Sequence, residues 1–361
     1  MATLSKPQTR PVTTLSIPRV GRCTRLVLML ALALIGLTVI HISVGSVALT
    51  PLDVAHVLLG QPAEALHHTI VWELRLPRAL IAMTAGAMLG LSGALLQGVT
   101  RNPLASPSII GVVGGAVLAV VLWMAFVSGG ADAQRILPLV AMSGGIISGG
   151  VVYAVSWQPQ RGTSPLRLTL GGVLMASILT ALTSLVLLIE QANLGNILHW
   201  LIGSLEGRVW AHWSILAPYA LVALPLGMLS ASIANTLQLG DAVATGLGLP
   251  VERARAGLLL VAVVLAAGAV SVVGNIAFIG LIAPHIGRRI VGNDARRLFP
   301  FSAVFASGLL LVADILARTV THAASAYTDS LEGIGNLPVG AVTAALGALF
   351  FFWLLIRERR A

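Results

Sequence analysis

The run LVLMLALALIGLTVIHISV at residues 26–44 decides the fold class of this chain. It contains no Asp, Glu, Lys or Arg, and its length is close to the roughly 20 apolar residues that an α-helix needs to cross a bilayer. The basic tail before it is about 25 residues long, unlike the short charged start of a signal peptide. We therefore interpret residues 1–25 as a cytoplasmic tail and the run as a retained first transmembrane helix.

The composition of the whole chain agrees with this interpretation. Of its 361 residues, 57% are hydrophobic and 10% are charged, and the mean hydropathy is +0.94. A soluble domain carries about 25% charged residues, so this chain cannot cover a water-facing surface. The net charge of +9 does not indicate nucleic-acid binding, because the arginines lie at the ends of apolar runs without interleaved aromatic residues. The sequence predicts an all-α, polytopic membrane protein.

Ten apolar runs predict ten transmembrane helices in one domain, residues 26–361. They lie near residues 26–46, 76–98, 109–127, 136–156, 168–189, 212–234, 256–273, 276–290, 299–318 and 338–356. With the N-terminus inside, all but five of the 22 lysines and arginines fall in inside segments; the exceptions are Arg75, Arg78, Arg135, Arg208 and Arg318. Basic residues concentrate on the cytoplasmic side of membrane proteins, so we expect both termini to be cytoplasmic.

Motifs for nucleotide binding and catalysis are absent from the sequence. A Walker A motif needs a Gly-Lys-Ser/Thr sequence whose lysine reaches the phosphates, and Lys6, the only lysine, lies in Ser-Lys-Pro. There is also no His-Glu-x-x-His and no Gly-x-Ser-x-Gly. We expect a non-enzymatic chain without catalytic residues, metal or cofactor of its own, so that any ATP would be bound by another polypeptide.

Ionisable residues within the apolar runs are few. The clearest is Asp314, which lies four residues before Arg318, so we predict a local ion pair with a structural role. His285 follows Pro284 near the inside end of a run, where we predict capping or loop packing. Ion-coupled carriers need buried coupling groups, so an ion-coupled secondary transporter is the less favoured alternative.

Several motifs recur here in a characteristic order. They are RLPR at residues 75–78, RNPLASP at 101–107, WLIGSL at 200–205, GNIAFIGLIAPHIGR at 274–288, ADILAR at 313–318 and LPVG at 337–340. From about residue 70 to the C-terminus, the chain closely resembles the FecCD-type permeases of iron-siderophore, haem and cobalamin ABC importers. It departs from their pattern at Asn275, where members usually carry Pro, and at Ala277, where they usually carry Gly.

The resemblance implies a type II ABC importer fold with about ten transmembrane helices per subunit. It implies a permease subunit in the bacterial inner membrane that translocates an iron-chelate (siderophore) complex, with haem or cobalamin import as alternatives. It also implies three partners: a pair of cytoplasmic ATP-binding subunits, a periplasmic or lipoprotein substrate-binding protein, and a second permease subunit that forms a homodimer.

Site residues follow from the same resemblance. Docking of the binding protein is expected at Arg75, Arg78 and Arg318, although arginines near helix ends also extend towards lipid headgroups. The segment 236–255 is expected to be a coupling element for the ATPase through Asp241, Gly246, Gly248 and Glu252, with an ordinary solvated loop as the alternative. A gate or structural motif is expected at Arg101, Asn102, Pro103, Pro284, His285 and Asp314. For Asn102-Pro103, packing near the gate and an ordinary tight turn remain open.

Overall fold

The computed structural model describes residues 20–45, 47–61, 64–108, 110–127, 131–159, 162–190, 194–325 and 337–358. Most of the predicted cytoplasmic tail, residues 1–19, lies outside the described residues. The described residues are mainly helical. The first half contains α1 (Val20–Ser43), α2 (Pro51–Leu58), α3 (Ala65–His68), a π-helical turn (Thr69–Arg75), α4 (Leu76–Thr100), α5 (Val112–Phe126), α6 (Ala131–Ser156) and the strands β1 (Trp157–Gln158) and β2 (Gly162–Thr163). The second half contains α7 (Pro165–Ile189), α8 (Leu194–Ile202), α9 (Trp210–Leu229), α10 (Ala231–Gln238), α11 (Asp241–Gly246), α12 (Val251–Val273), α13 (Ile279–Val291), α14 (Ala295–Ser325) and α15 (Val339–Glu358).

Nine of the ten predicted helices each coincide with one helix of the structure, and the described residues contain seven helices that are long and apolar enough to cross a membrane. The seven are Arg25–Ser43, Ala65–Thr100, Ile136–Ser156, Pro165–Ile189, Trp210–Leu229, Val251–Val273 and Ala295–Ala323. The apolar helices of α5 and α15 are shorter. α13 has only 13 residues, because residues 274–278 before it are irregular. A helix of this length is too short for a perpendicular crossing of the membrane.

One predicted boundary was wrong. The predicted helix 212–234 is two helices, α9 and α10, separated at Ser230. The Ser230 hydroxyl donates to the Gly227 carbonyl at 2.7 Å, and such bonds compete with the regular helical pattern. The described residues between 47 and 75, which separate the first two predicted helices, include α2, α3 and the π-helical turn. α2 starts with a capping box between Thr50 and Asp53.

α4 is the central helix of the bundle. In its spanning window 78% of the residues are buried, against 11% in α1. Gly86 and Gly90 face the α14 backbone, and Gly93 faces the Gly280 backbone of α13, so closely that an added Cβ would overlap it. These three glycines therefore permit close helix crossings.

Candidate functional site

One buried carboxylate joins three helices at the end of the bundle where α1 ends. Asp314 of α14 is fully buried, and its two carboxylate oxygens accept hydrogen bonds from Arg78 of α4 at 2.9 and 2.7 Å. His41 Nε2 of α1 lies 2.8 Å from the same carboxylate, and Arg318 Nε lies 3.3 Å from it. The predicted local pair with Arg318 is confirmed, but it is one contact of a larger Asp314 cluster: His41, Arg75, Arg78, Asp314 and Arg318.

The same cluster caps the end of α1. Arg318 donates to the carbonyls of Val44 at 2.7 Å and of His41 at 3.1 Å. Arg75 donates to the carbonyls of Ile42 at 2.7 Å and Ser43 at 2.9 Å. The last carbonyls of a helix lack intrahelical partners and carry partial negative charge, so the two guanidinium groups satisfy both needs.

The three arginines predicted to dock a binding protein therefore lie together and have internal partners. Arg75 is 7% exposed and Arg318 is 5% exposed, while the Arg78 side chain is 14% exposed. Their docking role stays a prediction, with Arg78 the most accessible of the three. Sequence reasoning missed His41, although an ionisable residue near the end of an apolar run indicates a buried polar partner.

A second polar cluster surrounds Arg255, a residue near the start of α12. Arg255 is 1% exposed. It donates to both carboxylate oxygens of Asp241 at 2.8 and 2.9 Å, to Glu252 at 2.8 Å and to the Thr163 carbonyl at 2.5 Å. Arg101 also bonds to the Asp241 carboxylate. The predicted coupling residues Asp241 and Glu252 thus share a network with Arg101 from the predicted gate motif and with Thr163 of β2. We call it the Arg255 network. β2 pairs with β1 in an antiparallel hairpin between α6 and α7.

The Asp241 carboxylate is held ionised by this network. Burial by itself would raise its pKa, but the hydrogen bonds and positive charges of Arg255 and then Arg101 outweigh that effect and leave the pKa below its ordinary value of 3.8. Asp241 therefore carries a full negative charge at neutral pH.

The glycines of segment 236–255 end a short helix, as the sequence predicts. α11 ends at Gly246, and Gly248 follows with a φ of +82°, a left-handed conformation that favours glycine. No atom lies within 4 Å of a Cβ placed on either residue. The described structure therefore leaves this side of α11 open, next to the exposed side chains of Val243 and Leu247.

The RNP segment, residues 101–103, forms a tight turn after α4, in which Arg101 and Pro103 are exposed and Asn102 is half-buried. Arg101 has a φ of +50° and ends α4, and its guanidinium donates to the Leu237 carbonyl at 2.8 Å. Asn102 Oδ1 accepts from the Leu104 backbone at 2.9 Å, and residues 105–107 are buried. For Asn102-Pro103 the structure shows the tight turn, and packing near the gate stays a prediction.

The prediction for His285 was wrong in its location. Pro284 and His285 lie within α13 and not at a cap or in a loop, because α13 continues to Val291. Pro284 is buried, and the His285 ring meets the Phe350 ring of α15 edge-on, with centroids 5.6 Å apart. These two residues therefore contribute to packing between helices.

A cavity of about 370 Å³ lies between α5, α7, α8 and the irregular segment before α13. Among the described residues, no charged side chain lines it. The lining residues are Ser108, Val113, Gly114, Val117, Ala176, Thr180, Thr183, Ser184, Leu201, Asn275 and Ala277. Asn275 and Ala277, two positions at which the sequence departs from the FecCD pattern, belong to this wall.

Comparison with known proteins gives full-length matches. The sequence model of the FecCD transport family matches residues 32–357. The chain is 37% identical to the iron(3+)-hydroxamate import system permease protein FhuG of Bacillus subtilis (strain 168), over 88% of this chain and 92% of that protein. It is 38% identical to the Fe(3+) dicitrate transport system permease protein FecD of Escherichia coli (strain K12), over 92% of this chain and 99% of that protein. A solved metal-chelate type ABC transporter in an inward-facing conformation has a TM-score of 0.77 and 26% identity, over 92% of this chain and 99% of that one.

Proposed function

The chain belongs to the FecCD transport family, and from that premise we propose that it is the multi-pass permease subunit of an ABC importer that carries a ferric chelate across the bacterial inner membrane. The observation that supports this most is the match to iron-chelate permeases along nearly their whole length. The relatives' names include hydroxamate and citrate complexes. We therefore propose the ferric chelate as the substrate class, not one chelate.

The cavity is suited to passage of such a cargo. Its wall offers hydroxyl groups, one amide and small apolar side chains. Without a fixed charge, the wall would not hold an anionic or cationic complex tightly midway. The binding protein would then supply the affinity for the chelate, and ATP hydrolysis on other subunits would set the direction of transport.

The alternative function, an ion-coupled secondary transporter, would need a coupling group, and the Asp314 cluster does not suit that role. A coupling carboxylate must exchange a proton or a cation during transport. The Asp314 carboxylate is fully buried and contacts two guanidinium groups and one imidazole, so it acts as a structural anion.

We assign the ATPase contact to α11. Its open side exposes Val243 and Leu247, at 50% and 66%. In the complete importer, a pair of ATP-binding subunits would receive this helix, and their closure would move the permease helices as bodies. Changing both residues to Glu should prevent co-purification with the ATPase while leaving the permease inserted. The matched control is Leu58→Glu on α2, another exposed leucine at 44%; normal co-purification of the Val243/Leu247 variant would refute the assignment.

We assign docking of the binding protein to the end of the bundle that carries the Asp314 cluster. Its three arginines outnumber its one carboxylate, and the resulting positive charge would attract acidic side chains and orient docking. The variant Arg75→Glu/Arg78→Glu should abolish stimulation by the binding protein while the permease–ATPase complex still assembles. Since Arg75 also caps α1, thermal stability must be measured on the same sample. Unchanged uptake would contradict the assignment.

The proposed function as a whole is tested by uptake of a radioactive ferric chelate in a strain that lacks this permease. Uptake should be restored by the chain together with its ATPase and binding protein, and lost when the ATPase is inactivated. A second permease subunit, proposed to be an identical copy, is tested by co-purification of two differently tagged copies. Uptake that persists with an inactive ATPase would refute the proposal.

A further inference from the structure

The Arg255 network connects more than the coupling helix to the helix that follows it. Arg255 and Arg101 face the two carboxylates of Asp241 and Glu252, so the four charges balance. A balanced set of charges offers little net attraction to a partner. Its geometry instead suits a mechanical connection, since each guanidinium fork fixes the direction of its acceptors.

The Arg255 network connects α11 and α12 to a third element, the hairpin between α6 and α7. Glu252 Oε2 accepts hydrogen bonds from the backbone nitrogen and from the hydroxyl of Thr163, each at 3.0 Å. Arg255 donates to the carbonyl of the same residue at 2.5 Å. The backbone donor, the backbone acceptor and the hydroxyl of Thr163 are thus all held by α12 side chains. The end of β2 cannot shift relative to Asp241 without breaking some of these bonds.

From the hairpin the connection continues directly into α7. Only Ser164 separates Thr163 from α7, and its hydroxyl caps the helix by accepting from the Arg167 backbone at 3.2 Å. Arg167 also returns a hydrogen bond to the Gly162 carbonyl at 2.7 Å. Further along, α7 supplies four of the cavity-lining residues: Ala176, Thr180, Thr183 and Ser184.

We infer that Arg255 is a positioning residue that links α11, through the hairpin, to α7, so that a displacement of α11 by the ATPase reaches the cavity wall. This inference rests on the proposed function and adds a specific route for its coupling step. α11 and the start of α7 move as one unit during the nucleotide cycle. Breaking the connection lets α11 move while α7 stays behind, so ATP is hydrolysed without a matching movement of the cavity.

The test uses the complete importer in proteoliposomes and two readouts. The first is chelate uptake per ATP hydrolysed. The second is the distance between spin labels at Leu166 of α7 and Ala242 of α11, both of which are exposed and neither of which is assigned to the ATPase contact. The labels are introduced as cysteines after the single native cysteine, Cys23, is changed to Ser.

In the wild type, the Leu166–Ala242 distance should be the same without nucleotide and with ATP bound. In Arg255→Gln this distance should change on ATP binding, and uptake per ATP should fall about fivefold or more, the lower range of an energetic coupling between sites. Arg255→Lys keeps the charge but loses the fork that reaches several acceptors, so it should also be impaired. Arg253→Gln is the matched control, because Arg253 is exposed two residues away, and it should behave as the wild type.

If Arg255 only stabilised the fold, its variants would give less folded protein, but the importer that does assemble would take up as much chelate per ATP as the wild type. If Arg255→Gln does not fold, Thr163→Val provides the test. It removes the hydroxyl bond to Glu252 but keeps both backbone bonds, and should lower the ratio by less. An unchanged ratio and distance in the variants, or a wild-type distance that changes with ATP, overturns the inference while the proposed function stands. Absence of ATP-driven uptake by the wild type overturns both.

Discussion

The substitution Asp314→Asn should destabilise the permease more than any other single carboxylate-to-amide change at this end of the bundle. It leaves two buried guanidinium groups, those of Arg78 and Arg318, without their anion. Removing one partner of a buried ion pair costs about 3–5 kcal/mol. Arg78 retains 14% exposure of its side chain and could turn towards water, so we expect the lower end, about 3 kcal/mol.

The assay is reversible unfolding of the purified permease in mixed micelles of detergent and denaturant, followed by circular dichroism. Glu73→Gln is the control, because Glu73 is an exposed carboxylate on the π-helical turn close in sequence to Arg75; it should change the free energy of unfolding by less than about 0.5 kcal/mol. The reasoning about the Asp314 cluster fails if Asp314→Asn costs no more than this control.

Three further outcomes are expected. Asp241→Asn should lower the melting temperature at pH 7, and the deficit should shrink as the pH falls below about 4: a carboxylate with a depressed pKa stabilises the fold above its ordinary pKa of 3.8 and loses that effect as the pH falls through its folded value. A wild-type advantage as large at pH 3 as at pH 7 would contradict this. Gly93→Ala should destabilise the permease by about 1–3 kcal/mol in the same unfolding assay, because the added Cβ would overlap the Gly280 backbone. The control is Gly150→Ala, whose Cβ meets no atom within 4 Å and which should be neutral or slightly stabilising. Equal effects of the two substitutions would refute the close-crossing argument. Asn275→Asp places a charge in the uncharged cavity wall and should lower chelate uptake at unchanged ATPase activity, whereas equal uptake would show that the cavity is not on the route.

The helices could be predicted from the sequence because each is specified by local hydrophobicity. The runs that became α1, α4 and α12 are apolar over spanning length, and their burial did not need to be known. The length of α13 was not predictable in this way. Its apolar residues continue upstream through Ile276, but Gly274, with a φ of +75°, and Phe278, with a φ of +64°, interrupt the helix.

The two polar clusters were predictable only in part. Asp314 and Arg318 are four residues apart, and that spacing alone indicates a pair. Arg78 and His41 are separated from Asp314 by 236 and 273 residues, and no local pattern joins them. For the same reason Arg255 was counted only as an inside charge, although its contact with Thr163 spans 92 residues.

The sequence also left the accessibility of charged residues undetermined. Arg75 was expected to face a partner because it lies at a predicted helix end, yet it is buried against the carbonyls that end α1. Where the end of one helix packs against the end of another, an arginine there can donate to the backbone carbonyls of its neighbour in place of water. The spacing of residues in one helix cannot report which neighbour covers it.

The most direct measurement of the central claim is transport by purified components in sealed vesicles. Vesicles that contain this permease, its ATPase and its binding protein should accumulate a ferric chelate only when ATP is supplied on the ATPase side. Accumulation by vesicles that contain the permease alone, driven by an ion gradient and without ATP, would contradict the account.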